Sequence, residues 1–158
     1  MSKLLIGLLS ALVSTNQPAA VSNLVEKTTG VAIEIPNPND PVEKEYLNLL
    51  AVDDAAQSDV DKWILEDRSA ETHSATLTLR INQRFDAVKQ DYENFLQRNP
   101  NHVRAHLAYG SLLQDIREED EGVKHWEKAL ELDPKNPAAW NNLANYYGHR
   151  GPVKKAFE

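Results

Sequence analysis

Two stretches of this chain repeat one another at a fixed spacing. His106, Tyr109, Gly110, Leu113 and Arg117 recur as Trp140, Leu143, Ala144, Tyr147 and Gly151, each 34 residues later. Tyr92, Phe95 and Pro100 precede Trp126, Ala129 and Pro134 by the same 34. A period in the thirties, carried by amphipathic helices, marks a helical repeat array. Each unit is a helix pair that cannot bury its apolar face alone and stacks on its neighbours to do so. The spacing therefore predicts an all-α fold built as a stack of antiparallel helix pairs.

The junction Ala129-Leu130-Glu131-Leu132-Asp133-Pro134, followed by Asn136-Pro137-Ala138-Ala139-Trp140, resembles that of the tetratricopeptide repeat family. Trp140, Leu143, Ala144, Tyr147, Gly151 and Ala156 fall where that family places aromatic, aliphatic and small residues. The resemblance implies a right-handed α-solenoid with a degenerate repeat at 69–102, a clear one at 103–136 and an incomplete one at 137–158. It also implies a non-catalytic scaffold that holds a protein or peptide partner in a concave groove lined by the first helix of each repeat. Carried over by helical spacing, the groove residues here are Arg104, Leu107, Ser111, Gln114, Asn141, Asn145 and His149. Amide side chains suit such a groove because each both donates and accepts, and so pairs with an extended backbone. The family's clamp for a C-terminal carboxylate sets lysines beside asparagines, and this face has no lysine. Two positions depart from the pattern: Arg117 replaces a turn glycine, and Gly122 stands where alanine is preferred. The chain ends barely two turns into the helix that opens at Pro152, so it reads as a fragment of a longer protein.

Before the repeats, Lys3 and the apolar run Leu4 to Val13 resemble a secretory leader, since ten apolar residues are about half of the ~20 needed to span a bilayer. Residues 1–20 are thus expected to be a signal peptide, which implies a periplasmic or secreted protein; the alternative is a buried first helix and a cytoplasmic one. Residues 21–40 read as a disordered linker, since Ile35-Pro36-Asn37-Pro38 cannot continue a helix. Asp40-Pro41-Val42-Glu43 opens a helix, with Asp40 as cap and Pro41 at the first helical position. Residues 41–68 are expected to be a terminal helical cap of two helices, with stripes Val42, Tyr46, Leu49, Leu50 and Ala56, Val60, Trp63, Ile64 parted at Asp53-Asp54. Ala75 to Ile81 alternates like a strand, but a lone strand would leave its backbone unpaired. The repeat register predicts a helix over 70–82 and a second over 85–98.

The formal charge of −7 disfavours nucleic acid and anionic membranes as partners, because both select basic surfaces. The absence of cysteine excludes disulfides, thiolate metal sites and a cysteine nucleophile. His102 and His106 are four apart, a spacing that suits two metal ligands, but no third ligand is set by spacing and position 106 is a packing position. Glu118 to Glu121 reads as a solvated acidic turn, His125 as isolated, and Trp140 as a core residue. No catalytic residue, metal or cofactor is expected. The alternative is the accessory N-terminal part of a longer enzyme whose catalytic domain lies beyond residue 158.

Overall fold

The computed structural model describes residues 27, 37, 39–67 and 75–149. The expected leader, most of the linker and the helix expected from Pro152 lie outside the described residues. Among the described residues from Pro41 onward, five helices follow one another: α1 (Pro41–Asp67), α2 (Ala75–Arg98), α3 (Val103–Asp115), α4 (Glu119–Leu132) and α5 (Pro137–His149). The fold is an all-α helical repeat, as the 34-residue register requires. Two compact units divide between Lys44 and Glu45, inside α1. In the first unit, Asp40 caps α1 as expected: its carboxylate accepts from the Val42 N–H at 2.9 Å. The rest of this account concerns the second unit.

Two expected breaks are absent. α1 runs through Asp53-Asp54, and α2 runs through the turn expected between residues 82 and 85. Neither place holds Pro or Gly, and an aspartate costs a helix only ~0.7 kcal/mol or less, which tertiary packing overrides. Asp53 serves that packing, since its carboxylate accepts from the Tyr92 hydroxyl at 2.8 Å. The two long helices lie antiparallel, and their cross-links show it. Glu45 pairs with Arg98, Asp53 with Tyr92, Asp59 with Arg84 at 3.0 Å, and the Arg80 guanidinium sits 3.7 Å over the Trp63 ring. The core between them holds Tyr46, Leu49, Ala56 and Val60 against Phe85, Val88, Tyr92 and Phe95.

α3 attaches to this pair through aromatic rings. His102 packs on Tyr46 at 4.6 Å and Phe95 at 5.1 Å, and Tyr109 stacks on Tyr92 at 5.0 Å. The His102 Nδ1 accepts from the Ala105 N–H at 3.0 Å, which makes this histidine the N-cap of α3. α3 and α4 then approach very closely. A methyl at Gly122 would lie 2.7 Å from the Gly110 carbonyl oxygen, so the glycine at this alanine position permits backbone contact between the helices. The acidic turn puts Glu119, Asp120 and Glu121 in the first turn of α4, where the helix dipole favours negative charge.

Arg117 closes the turn between α3 and α4 with φ 71°, a left-handed conformation. The Glu118 N–H donates to the Leu113 carbonyl at 2.8 Å and the Arg117 N–H to the Gln114 carbonyl at 3.2 Å, the paired bonds of a Schellman cap. An L-residue with a Cβ is strained there by ~1–2 kcal/mol, partly offset by the greater unfolded-state freedom of glycine. Arg117→Gly should therefore stabilise the chain by about 0.5–1 kcal/mol, read as a higher urea midpoint. A lower midpoint would contradict the assignment.

The junction to α5 is built by two side chains. Asp133 accepts from the Lys135 N–H at 3.2 Å and from the Asn136 side-chain amide at 3.0 Å. Asn136 in turn caps α5, its Oδ1 accepting from the N–H groups of Ala138 and Ala139, both at 3.1 Å. Pro137 takes the first helical position, where no N–H is needed. α5 packs on α4 through Leu143, which joins Val123 and Trp126 with Leu107, Leu130, Tyr146 and Tyr147 around them.

Trp140 does not join this core. Its ring is 50% exposed, with Nε1 donating to the Pro134 carbonyl at 2.9 Å. His106, its counterpart one period earlier, is 7% exposed because α4 brings His125 against it. No helix among the described residues does the same for Trp140. Trp140→Ala should consequently cost about 1 kcal/mol, well below the ~3–5 kcal/mol of a buried tryptophan. A chemical-denaturation loss above ~3 kcal/mol would show that the ring is covered.

Candidate partner-binding groove

A cavity of about 430 Å³ opens between α3 and α5, with α4 as its floor. That is within the ~300–1,000 Å³ range of ligand sites. Ser111 and Gln114 line it from α3, Trp126 from α4, and Asn142, Asn145, Tyr146 and His149 from α5. Four of the seven residues expected in the groove therefore meet in one place: Ser111, Gln114, Asn145 and His149.

The other three are positioned differently. Arg104 faces α1, its guanidinium 4.6 Å over the Tyr46 ring while its carbonyl accepts from the Tyr46 hydroxyl at 3.2 Å. Leu107 is half-buried against the α4–α5 core, and its carbonyl accepts from both Trp126 Nε1 at 3.3 Å and Ser111 Oγ at 3.1 Å. Asn141 is exposed and does not line the cavity. Asn142, Tyr146 and Trp126 do line it, and the sequence reading missed them. The α5 members 142, 145, 146 and 149 follow the i, i+3, i+4, i+7 rule of a helix face. A strict four-residue step through 141, 145 and 149 drifts off that face, because the helical period is 3.6.

The electrostatics of the lining are one-sided. Among the described residues, no lysine, arginine or carboxylate lines the cavity. The Tyr146 hydroxyl of the lining donates to Asp120 at 3.2 Å. Gln114 Oε1 is buried and meets no donor.

Residues 125–156 match the family model described as tetratricopeptide repeat. That stretch is a tetratricopeptide repeat. The chain is similar to the peroxisomal targeting signal receptor of Candida albicans, 39% identical over 66 residues that make up 42% of this chain and 11% of the relative. The receptor of the same name from Komagataella phaffii is 40% identical over 66 residues, 42% of this chain and 12% of the relative. The chain thus spans about a tenth of the length of the curated relatives it matches.

Within the helix pair formed by α3 and α4, the histidines do structural work. His106 Nε2 donates to the Pro100 carbonyl at 3.0 Å, and its Nδ1 lies 2.9 Å from His125 Nδ1. With both rings neutral, His106 Nδ1 accepts from the His125 Nδ1–H. His125, expected to be isolated, is therefore paired, and the Tyr109 ring packs on it at 4.5 Å. His102 and His106 do not converge: one caps α3 and the other faces α4. Burial, followed by the neighbouring His106, pushes the His125 imidazole down to about 4.

Proposed function

We propose that this chain is a non-catalytic protein-interaction module that holds a peptide or partner segment in the groove between α3 and α5. The observation that carries the reading is the cavity shared by Ser111 and Gln114 of one repeat with Asn142 and Asn145 of the next. Polar side chains from two repeats converge there without closing the core, which is how a repeat stack presents a binding surface. The relatives are named as receptors for a targeting signal, which supports a protein ligand for the same kind of stack.

An Asn142→Ala, Asn145→Ala double variant should keep its helical circular dichroism and lose most captured partner in a pull-down from native extract. Lys124 and Lys128 suit the control, since the first is exposed, the second half-exposed, and they pair with Glu121 and Glu131 on their own helix. The Lys124→Ala, Lys128→Ala control should retain the same partner. Retention by the groove variant with loss by the control would place binding on the opposite face and refute the assignment.

A further inference from the structure

We propose that a second cavity, in the seam between α1 and α2, is a binding site for a primary ammonium group carried on an aliphatic stem. It shares no lining residue with the groove between α3 and α5 and does not rest on that reading. The cavity measures about 340 Å³, and Glu45, Asn48, Asp91, Asn94 and Arg98 are among its lining. It lies off the face that α3 covers. Tyr46 and Tyr92, one residue beyond Glu45 and Asp91, are the side chains that meet His102 and Tyr109. Helical spacing builds the site: Glu45, Asn48 and Leu49 share one face of α1, and Asp91, Asn94, Phe95 and Arg98 share one face of α2.

Two features fix the ligand class. The first is charge. Among the described residues, two carboxylates and one guanidinium line the cavity, and the guanidinium of Arg98 is already held by Glu45. Asp91 is the carboxylate which that pair does not neutralise, so its charge is open to an entering cation. The net charge of −7 draws cations in the same direction. The second feature is the layering of apolar and polar surface. Leu49 and Phe95 are buried and form the floor, while Asn48, Asp91 and Asn94 stand exposed at the rim. An aliphatic stem lies along such a floor while its charged head stays among polar groups. An ammonium brings three N–H donors, which the Asp91 carboxylate and the side-chain oxygens of Asn48 and Asn94 can accept. Asn94 Oδ1 also accepts from Gln90 at 3.4 Å and keeps a second lone pair. A metal ion fits less well, since no group of three or more acidic or histidine side chains among the described residues is placed to hold one.

Two sources supply such a group, a free diamine and a lysine side chain of another protein. The test titrates the ¹⁵N-labelled 158-residue chain with cadaverine, with lysine blocked at both backbone ends, and with norleucine blocked in the same way. Cadaverine should shift the amide signals of Asn48, Asp91 and Asn94, and blocked norleucine, which has the stem without the ammonium, should not. Binding of cadaverine alone assigns the site to a free amine, and binding of blocked lysine assigns it to a protein side chain as well. Asp91→Asn should weaken binding about three- to tenfold. Arg98→Gln removes the cation inside the cavity and frees Glu45, so it should tighten binding by about the same factor. A merely structural role would not produce two effects of opposite sign. Both positions are exposed, so neither exchange opens the core. Equal shifts from blocked norleucine, unchanged affinity in Asp91→Asn, or weaker binding in Arg98→Gln would overturn the inference. Shifts confined to other residues, or none with either amine, would do the same and leave the groove reading untouched.

Discussion

Gly110→Ala should lower the stability of the chain by about 2 kcal/mol, although alanine is the better helix former. A methyl at this position would lie 2.5 Å from Trp126 Nε1 and 2.9 Å from the Gly122 carbonyl oxygen. The indole cannot yield easily. It is 4% exposed, packs with Val123 and Leu143, and donates to the Leu107 carbonyl. Forcing a methyl into such a gap costs up to ~3 kcal/mol, and the helix-propensity gain returns only ~1 kcal/mol. Gly122→Ala should also destabilise, since its methyl would meet backbone and not a movable side chain. The two costs should not add. Once α3 and α4 have parted for one methyl, the second finds room, so the double variant should lose less than the sum of the singles. Urea unfolding of the three variants measures this. A Gly110→Ala protein as stable as the parent would show that the helices do not touch there.

Acidification should destabilise the α3–α4 pair through His125. Its imidazole titrates near 4 in the folded chain against about 6.5 when unfolded, because burial and the neighbouring His106 oppose the cation. The unfolded chain therefore binds the extra proton first, so stability falls as the pH drops from about 6.5 towards 4. The full shift corresponds to about 3 kcal/mol at 1.36 kcal/mol per unit, and partial solvent exposure of the ring reduces this to about 2 kcal/mol. Asp53 and Asp115 act in the opposite sense. Burial raises both carboxyls, so each favours the folded chain as it takes up a proton in acid. The His125 contribution is isolated by comparison: His125→Asn keeps a polar group opposite His106 and should lose less stability than the parent between pH 6.5 and 4. Parallel stability–pH curves for the two proteins would eliminate His125 as the cause.

Legibility differed from one feature to the next for identifiable reasons. The α3–α4–α5 pattern could be read because its packing positions recur at a 34-residue spacing. The capping came from the structure: His102 and Asn136 cap α3 and α5, and Arg117 closes α3 in a conformation that glycine usually takes. The tight crossing at Gly122 was also legible, since a missing side chain at a packing position has few other uses. α1 and α2 were harder. Their apolar stripes look interrupted at Asp53-Asp54 and near residue 83, but the interruptions are bridged by partners 39 and 25 residues away in sequence, Tyr92 for Asp53 and Asp59 for Arg84. Nothing local announces such partners. The cavity lining was half legible: spacing brought together Ser111, Gln114, Asn145 and His149, while a rotation of one residue on α5 hid Asn142 and Tyr146.

What the sequence by itself determined is the repeat: a 34-residue register, the start of α1 at Asp40-Pro41, and the amphipathic faces that must be covered. These are local properties, set by helical period and side-chain volume. Only the tertiary structure decided which faces are covered and by what. Trp140 and His106 occupy the same register, yet one ring is half exposed and the other is buried beside a second histidine. Burial depends on the element packed opposite, and that element lies elsewhere in the chain. The depressed His125, the unpaired Gln114 oxygen and the cavity between α3 and α5 all arise in this way, from groups that meet only when the helices stack.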